Sequence, residues 1–378
     1  MFSNKFFIDQ KSFLNALTSI QPICTKRTAI DSTSYILFHI RQKELVLKST
    51  DLEISLQTSC LIEDSSFLKP IEFLVPGKRL FDVVKELDGI IECLFESGQL
   101  ILRTNNDQSV NISLNIKSAE DFPIFPDIIE NIMDLDAQLF LKMLQNISFL
   151  IPQNNSNPVL NSLLLEISKD NIKLTTTDGH CLAQIISEKI VYYEKKSWIL
   201  SKRAVFELKK ILESYLDNTI FLGISGSNLV FSGQYFNFFT KVLLDQFPKY
   251  ESILNKDDFF KLSVDRSLFS KSLKRSLCFL SGQFISTRFI FKDNKLTVSI
   301  KNNDVGSFYE ELKIQSQDDI FIDIRFYSPY LLNGLQSFNS DNIDFYLKNS
   351  LSPIIFDCYN SDYSMIYLVM PISPDINN

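Results

Sequence analysis

Between residues 200 and 212 the apolar positions recur with a helical period. At 100° per residue, Ala204, Val205, Leu208, Ile211 and Leu212 share one face. Lys202, Arg203, Lys209 and Lys210 share the other. Residues 198–200 read as a strand leading in, and the Ser201 hydroxyl is placed to cap the first turn. Phe206 breaks the pattern, because it falls among the cations.

Apolar alternation predicts strands at 4–9, 35–40, 44–49, 52–60 (Leu52, Ile54 and Leu56 on one face), 71–75, 90–96, 100–104 and 108–116. Helices are predicted at 11–20, with Phe13, Leu14 and Leu17 inward, and at 76–87. The order then restarts. A helix begins near Leu135, strands follow at 162–167, 172–177, 182–186 and 198–200, and the helix above leads to strands at 219–224, 228–232 and 236–243. A third pass has a helix from Val264, strands at 287–291, 295–301 and 309–314, a last helix over 324–338, and strands at 342–347, 353–358 and 364–370.

The spacing shows repetition. Phe13, Phe140 and Phe269 match in the first helices, and Leu87, Leu212 and Phe338 match in the second. The Phe-Pro loops at Phe122 and Phe247 agree with that period. A period this long means three similar domains, not a short-repeat solenoid. The boundaries fall at 1–126, 127–253 and 254–378, in an α+β fold with two helices per domain packed on antiparallel sheets. Phe206 then matches Phe81 and Leu332, which predicts burial between the two helices of each domain.

Charge sharpens the picture. The 378 residues carry a formal net charge of −7, yet cations gather on matching helices. Lys78, Arg79 and Lys85 match the set at Lys202 to Lys210; Lys142, Lys271, Lys274 and Arg275 lie on first helices; Arg325 is the one cation of the last helix. A repeated cationic surface suits a repeated anion, and the nucleic-acid backbone is the obvious one. Neither an aromatic stacking platform nor a recognition-helix motif accompanies it, so sequence-independent contact with duplex phosphates is expected. A domain of ~125 residues is roughly 36 Å across. Three in a closed ring leave a hole of ~6 Å and six leave about 36 Å, and only the second admits a duplex. A ring of such chains around DNA is therefore a dimer.

Composition excludes several classes. No apolar run approaches a membrane span and the N-terminus lacks the features of a secretory signal. Six scattered cysteines without a CxxC fit reduced thiols in a cytoplasm, with no zinc site. Two histidines, His39 and His180, and ten glycines leave little for a histidine-based metal site or a phosphate loop; no metal or cofactor is expected.

Thr50-Asp51-Leu52-Glu53, Val75-Pro76-Gly77-Lys78, Asp121-Phe122-Pro123, Thr177-Asp178-Gly179-His180, Phe247-Pro248-Lys249-Tyr250 and Val369-Met370-Pro371 occur in that order. With the threefold repeat they give the whole chain a resemblance to the bacterial sliding clamps, the beta subunits of DNA polymerase III. The resemblance implies a head-to-tail homodimeric ring of six DNA-clamp domains, with helices lining the hole. It implies a processivity factor that is not an enzyme, tethers the polymerase III catalytic subunit, other polymerases and repair proteins, and is opened by a clamp loader.

By the same resemblance, Leu160, Thr177, Gly179, His180, Leu182, Pro248, Ile253, Leu368, Val369, Met370, Pro371 and Ile372 form a peptide-binding cleft. Ile112 and Leu114, on strand 108–116, meet Phe279 and Leu280 of the partner at a helix end. Arg27 matches a loop arginine directed at the duplex. Helix phase adds Lys78, Arg79, Lys202, Arg203, Lys209 and Lys210, and the loop Gln153, Asn154, Asn155 is a further DNA candidate. Cys181 and Ser373 stand where the family usually has, or often has, arginine, so apolar anchors are expected to dominate the cleft. Two rivals remain at this level: a three-domain scaffold that does not bind DNA, and an enzyme using Asp178 with His180 or a Cys181 thiol. The second is disfavoured, because adjacent strand residues point to opposite faces.

Overall fold

The structure, a computed structural model, describes residues 5–26, 28–63, 69–104, 110–126, 128–151, 155–215, 218–281, 286–316, 318–338 and 340–372. The first repeat runs β1 (Lys5–Asp9), α1 (Gln10–Cys24), β2 (Tyr35–Ile40), β3 (Glu44–Thr50), β4 (Ile54–Leu61), β5 (Ile71–Pro76), α2 (Gly77–Lys85), β6 (Ile90–Glu96), β7 (Gln99–Thr104) and β8 (Val110–Asn115), with a short β9 (Lys117–Ser118). The second runs β10 (Glu130–Asp136), α3 (Ala137–Ile147), β11 (Ser162–Ile167), β12 (Ile172–Thr177), β13 (Cys181–Ser187), β14 (Lys196–Ser201), α4 (Lys202–Ser214), β15 (Thr219–Ser225), β16 (Asn228–Ser232) and β17 (Phe236–Leu243). The third runs β18 (Phe260–Asp265), α5 (Arg266–Leu277), β19 (Thr287–Lys292), β20 (Lys295–Asn302), β21 (Gly306–Ser316), β22 (Phe321–Phe326), α6 (Ser328–Gln336), β23 (Asn342–Leu347), β24 (Ile354–Tyr359) and β25 (Ser364–Val369).

The antiparallel pairing repeats three times. In the first repeat β1 pairs with β6, β6 with β7 and β7 with β8, while β5 pairs with β2, β2 with β3 and β3 with β4. The second follows suit: β10–β15–β16–β17 and β14–β11–β12–β13. So does the third: β18–β23–β24–β25 and β22–β19–β20–β21. Each middle hairpin turns on an Asx motif. Asp51 Oδ1 accepts from the amides of Glu53 and Ile54, both at 2.9 Å. Asp178 Oδ1 accepts from His180 and Cys181 at 2.8 and 2.7 Å. Asn302 Oδ1 accepts from Asp304 and Val305 at 2.9 and 3.3 Å.

Phenylalanine fills the cores at matching places. Phe13, Phe140 and Phe269 are all buried. Phe13 lies edge-on to Phe38, Phe140 stacks on Phe231, and Phe269 lies edge-on to Phe289. Gly77 opens α2 where a Cβ would collide with Cys24 Sγ of α1, so only glycine lets these two helices approach so closely.

The chain forms two compact units, Met1–Leu141 with Arg203–Val242, and Lys142–Lys202 with Leu243–Asn378. The second repeat contributes to both, and strand pairing within each unit gives the reason. In the first unit β4 of repeat one pairs with β17 of repeat two, Phe238 opposite Leu56. In the second, β13 of repeat two pairs with β25 of repeat three, Leu182 opposite Leu368.

Several expectations are corrected. The last helix does not span 324–338; Ile324 and Phe326 belong to β22, whose burial alternates with period two, and α6 begins at Ser328 with Pro329 in its first turn. Arg325 is therefore a strand residue. Leu52 is not a strand residue either: it sits in a turn at φ 75 and is 37% exposed. α1 continues to Cys24 with Pro22 inside its last turn. Strands β10 and β18 precede α3 and α5 unannounced, since half-exposed first strands carry little alternation. Phe206 and Phe81 are half-buried; only Leu332 of that matched set is buried.

Candidate functional site

The cations of α4 are not equivalent. The predicted inward face, Ala204, Val205, Leu208, Ile211 and Leu212, is buried. Ser201 is the last residue of β14, directly before the helix. The Arg203 guanidinium is ion-paired with the fully buried Asp51 carboxylate and also donates to the Pro22 carbonyl at 3.2 Å. Lys202 donates to the Ile151 carbonyl at 3.3 Å, and partial burial lowers its pKa. Lys210 pairs with Glu207 one turn back at 3.0 Å. Lys209 lies over the Phe206 ring at 5.1 Å, so Phe206 serves as a platform for a cation rather than as core. On α2, Leu80 and Val84 are buried while Lys78 and Arg79 are exposed. Arg27, Gln153 and Asn154 lie outside the described residues. Asn155 spends its polar groups within its own loop, its amide donating to Asn161 Oδ1 at 3.1 Å and its side-chain oxygen accepting from Asn157 at 3.0 Å.

The cleft residues come together from distant parts of the sequence. β13 and β25 pair from Cys181 opposite Val369 onward, and the Met370 amide donates to the His180 carbonyl at 2.9 Å. Beneath them Leu182, Leu368, Leu164, Ile199, Ile355 and Tyr250 form a buried cluster against which Phe247 and Leu254 pack. That packing brings the Phe-Pro loop, with Pro248 and Ile253 exposed on it, to the same place. Tyr250 is fixed from below, its hydroxyl donating to Glu166 at 2.8 Å and accepting from Gln184 at 3.1 Å. Leu182, Leu368 and Val369 are thus the floor, not the rim. Leu160, Gly179, His180, Met370, Pro371 and Ile372 remain at least partly accessible. Gly179 adopts φ +92, a backbone conformation in which any side chain would be strained, and an added Cβ would lie in ordinary contact with Leu160. The His180 ring stacks on Tyr330 of α6, centroids 6.1 Å apart, and Tyr327 lies edge-on to Tyr330. Sequence reading missed both tyrosines because they lay inside a segment taken as continuous helix.

The side chains of Asp178, Thr177 and Cys181 are engaged within this turn or buried. Asp178 is spent on two backbone amides, and Thr177 Oγ1 donates to the Cys181 carbonyl at 2.6 Å. The Cys181 thiol is buried and burial pushes its pKa well up, so it stays protonated. Among the described residues no group of three His, Cys, Asp or Glu could hold a metal.

The third assembly is a pair of open edges. β8 is the last strand of its sheet, and Ile112 and Leu114 are half-exposed opposite Leu102 and Leu100 of β7. Among the described residues, 306–313 of β21 pair on one side only, with β20. Phe279 and Leu280 lie just past the end of α5, and Phe279 stacks on Phe308 of β21 at 6.0 Å. Asn302 holds this segment, donating to the Phe279 carbonyl and Ser281 Oγ, each at 2.9 Å.

Comparison with known proteins covers almost the whole chain. The family models for the DNA polymerase III beta subunit match in order: the N-terminal domain over residues 4–126, the central domain over 134–249 and the C-terminal domain over 251–373. The beta sliding clamp of Pseudomonas aeruginosa is 24% identical over 97% of this chain and 99% of its own. That of Chlamydia pneumoniae is 26% identical over 97% and 98%. Among solved structures, a DNA polymerase sliding clamp from Pseudomonas aeruginosa with ligand superposes with a TM-score of 0.88 at 22% identity, over 98% of this chain and 99% of that one. The DNA polymerase III beta subunit of Thermotoga maritima gives 0.87 at 22%, over 98% and 99%. No helix among the described residues is long and apolar enough to cross a membrane.

Proposed function

From the premise that this chain belongs to the DNA polymerase III beta subunit family, we propose that it is a processivity clamp that closes as a head-to-tail dimer around duplex DNA. The observation that carries this reading is the series of strand pairs. The third hairpin strand of repeat one, β4, pairs with the last strand of repeat two, β17; β13 of repeat two pairs with β25 of repeat three. The series leaves β21 of repeat three and β8 of repeat one, each with an open edge. A second copy supplies the missing partner to each, and two heterologous contacts then close the assembly without a free edge. Ile112 and Leu114 of one copy thereby come to Phe279, Leu280 and β21 of the other. The three domains are 1–126, 127–253 and 254–378.

DNA is held without base reading through cations on matching helices. Lys78, Arg79, Lys202, Lys209 and Lys210 are the phosphate contacts, and the last three also have local partners in Ile151, Phe206 and Glu207. Arg27, Gln153, Asn154 and Asn155 supply loop contacts. Arg203 chiefly positions the helix. The cleft of Leu160, Thr177, Gly179, His180, Leu182, Pro248, Ile253 and Leu368 through Ile372 binds linear peptides of the polymerase catalytic subunit, the clamp loader and other polymerases and repair proteins. Its apolar floor and sparse polar rim suit apolar anchors. The protein acts in the cytoplasm and performs no chemistry.

The deciding experiment is retention on nicked circular DNA. A closed ring, once loaded, stays bound through a salt wash and is released when the circle is cut. Equal release from intact and cut circles would return the chain to the rival reading of a scaffold that does not encircle DNA.

A further inference from the structure

In the third repeat, β22, β19, β20 and β21 lie side by side. One row across them sets Arg325 opposite Arg288, Arg288 opposite Ser299, and Ser299 opposite Tyr309. Their chain neighbours Phe289, Ile324 and Val298 are buried, so the row stands on the face away from the core. With Lys301 it lines a cleft of about 470 Å³. Arg288 is committed to Asp323, donating through Nε at 2.9 and 3.1 Å, and that contact holds the carboxyl below its usual range. The next acid on the face, Glu311, is met by Lys295 at 3.3 Å and the Tyr309 hydroxyl at 2.5 Å. Among the described residues, neither Lys301 nor Arg325 makes a salt bridge, though Arg325 adds to the pull of Arg288 on the Asp323 carboxyl. Three cations, Arg288, Lys301 and Arg325, therefore line the cleft, with the Asp323 carboxylate beside it bonded to Arg288.

This cleft begins where the peptide wall ends. The Met370 amide is bonded to the His180 carbonyl, and the Ile372 amide to the Arg325 carbonyl at 2.8 Å. Two residues of extended chain span roughly 7 Å. A peptide passing along Met370 to Ile372 arrives at Arg325 within one or two residues. Strand addition at the edge of β21 uses backbone groups and leaves this face open.

We propose that the Arg325–Lys301 cleft is a cationic extension of the peptide site that takes an acidic flank, a run of aspartates or glutamates, beside the apolar anchors of a partner peptide. It rests on the peptide-cleft reading above. Isolated carboxylates suit it better than a duplex, because the site is concave, has the Asp323 carboxylate beside it and lines its wall with the Ser299 hydroxyl.

The test uses the full chain and fluorescent hexapeptides with apolar anchors, either plain or extended by three glutamates or three lysines at one end or the other. Affinities are read at low and high salt. At low salt, one of the two glutamate-extended peptides binds ~10-fold tighter than the plain one, and most of that gain disappears at high salt. In Lys301→Ala with Arg325→Ala the gain falls below ~2-fold while plain-peptide affinity is unchanged. Lys301→Ala alone, at an exposed site, gives an intermediate loss and guards against misfolding. The proposal is overturned if neither glutamate extension gains, if the gain survives in the double variant, or if that variant loses DNA retention and not peptide affinity. Failure of the plain peptide to bind overturns the cleft reading itself, and this extension with it.

Discussion

The Arg203 guanidinium, on the face of α4 that charge patterning assigns to DNA, is ion-paired with Asp51, whose side chain is fully buried. Lys26 adds a second cation 3.7 Å from the same carboxylate. Asp51 also anchors the β3–β4 turn through the amides of Glu53 and Ile54. Arg203 therefore ties α4 of the second repeat to a hairpin of the first. Removing one partner of a buried pair strands the other charge.

Arg203→Ala should accordingly lower unfolding stability by about 2–4 kcal/mol, less than a fully buried pair because Lys26 remains. Urea denaturation checks this. A variant with unchanged midpoint and reduced DNA retention would make Arg203 a phosphate contact after all.

Lys78→Ala with Arg79→Ala should leave the urea midpoint unchanged, since both side chains are exposed. Loading on DNA should weaken, and the slope of log affinity against log salt should become shallower by roughly 0.9 for each phosphate no longer neutralised. Lys43→Ala and Lys313→Ala serve as controls. Equal weakening there would count against helices as the DNA-facing surface.

Ile112→Lys with Leu114→Lys places two charges on the open edge of β8. Sedimentation should then show monomers at concentrations where the parent is dimeric, because lysine on an edge strand opposes pairing and desolvation. A double variant that remains dimeric moves the interface elsewhere.

Met370→Ala should weaken polymerase-derived peptides ~10-fold while dimerisation and DNA retention survive, since the side chain is accessible and lies beyond β25. Leu182→Ala differs: the residue is 2% exposed in the cluster below, so about 2–4 kcal/mol of stability goes with it. Peptide titration by calorimetry separates these effects. Unchanged affinity in Met370→Ala would remove the C-terminal segment from the site.

Alkylation of the native protein by iodoacetamide near pH 8 should label Cys278, the exposed thiol, first. Burial pushes the thiols of Cys24 and Cys60 up to about 12 and raises Cys93 and Cys181 further, so all four should react only on unfolding. Early modification of Cys181, read by peptide mass mapping, would reopen a thiol role for the turn.

Local pattern in the sequence was enough for whatever one element decides by itself. The buried face of α4 follows from helical period, and the period linking Phe13, Phe140 and Phe269 reveals three domains because each must fill its own core at the same place. The motif turns were legible too, since Asp51 and Asp178 each cap their own turn by accepting from the amides two and three residues on. Tertiary structure decided what depends on two distant segments meeting. Nothing near Arg203 in the chain announces Asp51, so a pattern of exposed cations could not separate a phosphate contact from a buried ion pair. Ile324 and Phe326 read as helix until β19 supplies the ladder that makes them strand, and with them Arg325 moves from a helix to a sheet face. The pairing of β4 with β17 and of β13 with β25 joins strands far apart in the chain through backbone hydrogen bonds and buried side chains such as Leu182 and Leu368, and no local pattern announces such a meeting.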